Sequence, residues 1–449
     1  MWAMITKSQA CATIGFTLAV LFSCQMSGDR LGPAAARSFT NDVSEVGIQQ
    51  GEVSDRSWDR LSSDGTMYGV NCRRTRVYDA QGLQEPKSVL WKTSKLFTIY
   101  PTGADFSILD PGFRIPSRPV PIYHGARSII TANKEAYFLQ WVSNSDSLFV
   151  IDLQTGETKK ILKLQGGNFS GPTVAGALLF VGESRGSYYA LDRRDWKMKW
   201  EIDKKGYNDY GIAPAVVDGT IYFGCDKLIF EPIVGPFDNT KRKGSVFAVD
   251  ALTGAQKWMF TVDGIPTPIA VSDGIIYLGD DDRHLFAVNA KDGKEIWQFK
   301  ASDNLRMPSI MEGRAFFSDD GGNLYAVDLK NGKAIWKAAK KNKVATVLAA
   351  YNKLVYYGGR ENSLYAVDAL TGEEKWVYRT EKPCPAPVAA NGVIYVACWD
   401  NTLLAIDAES GQERWKYKTP HRPISHPVVG NGIIYYLDEE GIMYALGSS

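Results

Sequence analysis

The chain has 449 residues, 45% of them hydrophobic, with 51 basic residues against 50 acidic ones and a net charge of +1. That balance excludes the strongly basic surface of a typical nucleic-acid binder and the excess charge of an acidic disordered chain, while the apolar fraction allows a large core. Forty-two glycines and 12% aromatic residues point to many short strands and tight turns rather than long helices.

Residues 1–10 are weakly basic through Lys7, and residues 11–22 form an apolar run of 12. Such a run is too short to span a bilayer and suits the core of a signal peptide. Leu21-Phe22-Ser23-Cys24 resembles the lipobox of bacterial lipoproteins, where a small residue precedes the cysteine that receives lipid; Phe22 is bulkier than that pattern prefers. Cys24 is therefore the expected lipidation site. Ordinary secretion with cleavage nearby and an uncleaved anchor are the other readings. Residues 1–23 are expected to be the signal peptide, and residues 24–57, which lack hydrophobic periodicity, a flexible tether. Residues 58–449 are expected to be one folded domain, exported and held by its lipid in the periplasm or at a cell surface.

A motif recurs along that domain: Ala, then Asp or Asn two residues on, Gly four further and Trp four further again. The best copy is Ala287, Asn289, Gly293 and Trp297. Others run from Ala248 to Trp258, Ala326 to Trp336, Ala366 to Trp376 and Ala405 to Trp415. A degenerate copy from Ala190 to Trp200 has Trp196 at the glycine position. A weaker one keeps Asp152 and Gly156 but ends in Lys160, and the last stops at Ala445-Leu446-Gly447. The Asp position falls at 152, 192, 250, 289, 328, 368, 407 and 447, in steps of 40, 58, 39, 39, 40, 39 and 40. The long step carries an insertion, placed at 226–244.

Each unit reads as four strands. In residues 265–299, a first strand starts at Pro268 and Asp273-Gly274 is a hairpin signal. Ile275–Leu278 is an apolar run suited to a buried strand, His284–Val288 is the third strand and Glu295–Phe299 the fourth. Four short antiparallel strands every 40 residues or so predict an all-β fold, an eight-bladed β-propeller. The motif residues have physical roles in such a ring. A small Ala lets sheets approach, Asp caps a turn with its carboxylate, and Gly supplies a positive φ. The Trp on the outer strand lies over the neighbouring blade. The last unit lacks its outer strand, and Ser88-Val89-Leu90-Trp91 resembles the missing piece. Residues 88–95 are therefore expected to close the ring, hiding a strand edge. The structural tryptophans are Trp91, Trp200, Trp258, Trp297, Trp336, Trp376 and Trp415.

The repeated motif resembles the tryptophan-docking motif of the pyrroloquinoline-quinone (PQQ) repeat, or quinoprotein-like, β-propeller family, over about residues 88–447. Two branches share that fold: quinoprotein dehydrogenases, and non-catalytic BamB-like lipoproteins that act as scaffolds in outer-membrane β-barrel assembly. Length, lipobox-like leader and unit count are similar to the second branch. The alcohol dehydrogenases of the first resemble one another in a vicinal Cys pair over the cofactor, which this sequence lacks.

The candidate chemistry is thin. Cys384 opens the first strand of a blade and Cys398 closes the second, so a disulfide is feasible in an exported protein. Two buried thiols are the alternative. The four histidines, His124, His284, His421 and His426, show no spacing of a metal site. The turns between second and third strands are acidic, including Asp280, Asp281, Asp282, Asp319, Asp320, Asp400, Asp438, Glu439 and Glu440. They read either as a rim for Ca²⁺ or a basic partner, or simply as good turn formers. Two non-repetitive regions are expected as partner contacts: the insertion 226–244, with Phe230, Phe237, Lys241 and Arg242, and an irregular run at 97–140. Plain surface loop is the other reading of both. The expected function is a non-enzymatic, membrane-tethered protein-interaction scaffold, monomeric, without nucleic acid or cofactor. The alternative is a PQQ-dependent oxidoreductase holding PQQ with Ca²⁺.

Overall fold

The computed structural model describes residues 77–78, 86, 88–96, 129–142, 145–164, 171–182, 187–203, 207–208, 213–227, 243–339, 347–359, 361–384, 386–430 and 432–447. All lie in the second of the chain's two units, Val53–Ser449. The expected signal peptide, the expected tether with Cys24, and the residues Phe230, Phe237, Lys241 and Arg242 fall outside the described residues.

Eight antiparallel sheets form a ring, an eight-bladed β-propeller. Blades I to VIII begin with the strands Ile130–Ala132, Thr173–Ala175, Ala215–Val217, Ala270–Ser272, Ser309–Met311, Ala349–Tyr351, Val388–Ala390 and Val428–Gly430. Blade IV continues through Ile275–Gly279, His284–Asn289 and Glu295–Lys300. Its turn at Asp273 and Gly274 has φ of 52° and 71°, the left-handed pair that joins strands of natural twist. The inner strands are apolar on both faces because each blade is sandwiched between two others. In the outer strand Glu295–Lys300, by contrast, Trp297 is buried and Phe299 half-buried, while their neighbours face water.

The ring closes as the truncated last unit requires. Ser88–Lys92 is the outer strand of blade VIII, paired antiparallel with Met443–Gly447 in the register Trp91 to Ala445. Thr93 then anchors the chain: its N–H donates to the Met443 carbonyl, and its hydroxyl accepts from the Met443 N–H, both at 3.0 Å.

Three features depart from the sequence reading. Part of the expected irregular run, residues 130–142, is the first hairpin of blade I, Ile130–Ala132 and Glu135–Val142. Its turn residues Asn133 and Lys134 take φ of 51° and 66° without a glycine to signal them. The insertion begins later than 226 and ends before 244, because Asp226 and Lys227 still pair with Gly244 and Lys243 in the long strands Thr220–Lys227 and Lys243–Asp250. Finally, a two-residue strand, Val77–Tyr78, pairs in parallel with Val388–Ala390, the innermost strand of blade VII.

Candidate functional site

The motif residues act as a latch between blades. Asp250 accepts the backbone N–H groups of Leu252 and Thr253, which shapes the turn to the outer strand. Asp328, Asp368 and Asp407 repeat this contact. The turn glycine follows with φ near 70°: 74° at Gly254, 72° at Gly293, 69° at Gly332. A tryptophan from the preceding blade lies on that glycine and donates its Nε1–H to a main-chain carbonyl in the same turn, just ahead of the receiving blade's outer strand. Trp91 reaches Leu153, Trp200 Ala251, Trp258 Ala290, Trp297 Leu329, Trp336 Ala369 and Trp376 Ala408, at 2.9–3.1 Å. These indoles are therefore consumed by the scaffold. The motif alanines at 190, 248, 287, 326, 366, 405 and 445 have no exposed surface.

The opposite rim carries the turns between second and third strands. In blades IV, V and VIII it is tied to the chain entering the blade by the bridges Pro266 to Asp280, Leu305 to Asp319 and Pro423 to Asp438. Three of its carboxylates are turned inward. Asp280, Asp319 and Asp438 are buried, and each accepts the backbone N–H four residues on: His284 at 2.7 Å, Asn323 at 2.8 Å and Ile442 at 2.8 Å. Burial pushes the Asp280 and Asp438 carboxyls above their ordinary range, against the pull of those N–H donors. Tyr325 donates its hydroxyl to Asp319, whereas Asp280 Oδ2 has only His284 Nδ1 at 3.5 Å. These carboxylates shape turns. Among the described residues, no three His, Cys, Asp or Glu side chains converge as ligands for a metal ion.

Blade VII differs from its neighbours at this rim. Cys384, just ahead of the strand Val388–Ala390, is joined by a disulfide to Cys398, the last residue of Val393–Cys398. The next residue, Trp399, donates its N–H to the Pro383 carbonyl at 3.1 Å. The turn is thus fastened twice, yet the Trp399 side chain is 53% exposed. It borders a cavity of about 240 Å³ between blades VII and VIII, floored by Ala397, Pro423 and Ile424, with Arg422, Ser425 and His426 around it. Arg422 is held by Glu439 at 3.1 Å, and Ser425 Oγ accepts the Leu437 N–H at 2.9 Å. A wide apolar side chain on a fastened backbone beside a cleft has the character of an interface anchor. Trp399 lies off the repeat's period, the one signal in the sequence that could have singled it out.

A PQQ site would need cationic groups for the quinone's carboxylates and oxygen ligands for its cation. Among the described residues no three His, Cys, Asp or Glu side chains converge, and the disulfide spans a separation of 14 residues rather than joining neighbours. The strand Val77–Tyr78 adds to the edge of blade VII nearest the ring axis.

Comparison with known proteins follows this geometry. Residues 304–386 and 382–448 match the family model described as outer membrane protein assembly factor BamB. No curated protein matches the chain. Among solved structures, BamB from Moraxella catarrhalis is similar at 15% identity, with a TM-score of 0.57 over 72% of this chain and 94% of that one. The quinohemoprotein alcohol dehydrogenase from Comamonas testosteroni is similar at 13% identity and a TM-score of 0.65, over 89% and 83%. A europium-containing methanol dehydrogenase gives 13% and 0.62, over 87% and 90%. At these identities the structural likeness speaks for the fold. The eight repeated units make the chain a β-propeller, and residues 304–448 carry repeats similar to those of that family model.

Proposed function

We propose that the protein is a non-catalytic, membrane-tethered propeller whose rim binds protein partners as a scaffold in outer-membrane protein assembly. The observation that carries this reading is Trp399, exposed beside a cleft and fastened by the Cys384–Cys398 disulfide. The match to the assembly-factor family model supports it. Lipidation at Cys24 and contacts through Phe230, Phe237, Lys241 and Arg242 belong to the same proposal.

Affinity capture from envelope extract with the mature chain tests the rim. Trp399→Ala is expected to lose the captured partner, and undiminished capture would remove the rim from the reading. Calorimetry with PQQ and Ca²⁺ tests the rival oxidoreductase. Binding accompanied by dye-linked dehydrogenase activity would overturn the non-catalytic assignment. Mass spectrometry of membrane-extracted protein is expected to find lipid on Cys24, absent from Cys24→Ser.

A further inference from the structure

The seam between blades I and II is built unlike the six seams in which an indole reaches the next blade's turn carbonyl. Where those seams send a tryptophan across, blade I has Lys160, and its side chain lies in solvent. Where those seams have the receiving glycine, blade II has Trp196, held at φ of 60°. The residue after the turn's Asp is small or aliphatic in the receiving blades of those six seams, but here it is Arg193. Its guanidinium crosses to blade I, donating to Tyr137 Oη at 2.7 Å and Glu135 Oε2 at 3.0 Å, and to the Gly176 carbonyl of its own blade at 2.9 Å. A charged clamp therefore holds this seam in place of a buried indole. Lys160 and Trp196 depart from the motif on opposite sides of the same joint, so the two exceptions are one design.

The exchange leaves a cavity of about 390 Å³ along the outer edge of the seam. Leu162 and Leu164 from blade I, and Tyr189, Leu191, Trp196 and Met198 from blade II, line it. That volume lies within the usual range for ligand pockets, about 300–1,000 Å³. Two aromatic rings and a thioether make the wall suited to a flat aromatic side chain. Met198 in its wall is 52% exposed, so the apolar lining reaches the surface. The blade I strand along the groove, Thr158–Lys163, is the outer strand of its sheet, and among the described residues no strand pairs with that edge, which can accept an extended chain. Lys163 and Glu201 line the cavity, and the exposed Lys160 on the same blade I strand adds a positive charge beside it; neither lysine makes an ion pair among the described residues.

We propose that the blade I–II seam is a docking groove for an extended acidic segment of a partner protein, which inserts one aromatic side chain beside Trp196. The groove runs along the outer strands between blades I and II, whereas Trp399 belongs to blade VII, and it stands independently of the contacts proposed there.

The test uses the mature chain and a labelled acidic hexapeptide with one central Phe, read by fluorescence anisotropy. Replacing that Phe by Ala is expected to weaken binding at least ten-fold, as is Met198→Glu in the protein. Lys160→Glu with Lys163→Glu is expected to do the same, and raised salt to weaken the interaction. A photoreactive benzophenone in place of the Phe is expected to label residues 160–164 or 196–201. No binding, equal binding by a lysine-rich version of the peptide, indifference to Met198→Glu, or labelling elsewhere would each overturn the proposal. Should Met198→Glu fail to fold, the photolabelling of the unaltered protein decides alone. Loss of the rim contact shows only in partner capture by Trp399→Ala, so the two proposals fail separately.

Discussion

Two glycines of blade IV offer a matched measurement of the tryptophan latch. Gly274 and Gly293 have nearly the same backbone, φ of 71° and 72°. A Cβ at Gly274 would meet nothing within 4 Å, whereas at Gly293 it would lie 2.7 Å from Cδ2 and 2.8 Å from Cε3 of Trp258. Both Ala substitutions carry the cost of a left-handed L residue, about 1–2 kcal/mol. Only Gly293→Ala also drives the indole off its seat. Carbon atoms pack best at about 3.5–4.0 Å, so the ring must retreat by about 1 Å. That retreat breaks the 2.9 Å hydrogen bond from Trp258 Nε1 to the Ala290 carbonyl. Leaving a buried donor unpaired costs about 1–3 kcal/mol. Gly293→Ala is therefore expected to destabilise the ring by about 2–5 kcal/mol and Gly274→Ala by about 1–2, measured by urea unfolding with unchanged m-values. In a Trp258→Ala background the two glycine substitutions should cost the same, because the contact that separates them is gone. If they differ by less than about 0.5 kcal/mol in the native background, within the usual error of additivity, the latch argument is wrong.

Three further outcomes follow from the same structure. Trp91→Ala should cost about 3 kcal/mol, the low end for Trp→Ala because Trp91 is half-buried; a loss below about 1 would contradict ring closure by Ser88–Lys92. Reducing the Cys384–Cys398 disulfide, which spans 14 residues, should cost about 3 kcal/mol in thermal unfolding, and an unchanged midpoint with dithiothreitol would refute a structural role. Burial works to raise the Glu135 carboxyl, but hydrogen bonds from Lys159, Tyr137 and Arg193 outweigh it and hold the group below its ordinary range. A depressed carboxylate stabilises the fold above its unfolded pKa, about 4.3, and loses that contribution as pH falls through the folded value. Glu135→Gln should thus fall short of the native chain at pH 7, and the gap should shrink below about pH 4; a gap constant from pH 7 to 3 would refute the clamp.

The 39- and 40-residue steps, the Asp-Gly turns and the missing outer strand at Gly447 were enough to read eight blades and their closure. Such features are local or periodic: a positive φ selects Gly, a turn selects Asp, and an indole large enough to cover the next blade recurs at a fixed offset. The hairpin at Asn133 and Lys134 escaped because non-glycine residues adopt its left-handed turn, held there by the pairing of Glu135–Val142 with its neighbours. The acidic rim read as a ligand site or as turns, and only burial distinguishes them: Asp280, Asp319 and Asp438 are spent on their own backbone. Trp399 looked like one more aromatic residue until its exposure could be seen.

By itself, then, the sequence determined the fold, because a repeat imposes the same short-range chemistry eight times and each copy corrects the reading of the others. What the tertiary structure alone decided was the handling of the exceptions. Lys160, Trp196 and Arg193 are unremarkable as single departures from a motif and lie far from Glu135 and Tyr137 in the chain. Ring geometry brings them to one seam, where an ion-paired clamp and a cavity replace a buried indole. Contacts between blades join residues some 20–60 positions apart, and no local pattern encodes which of them will meet.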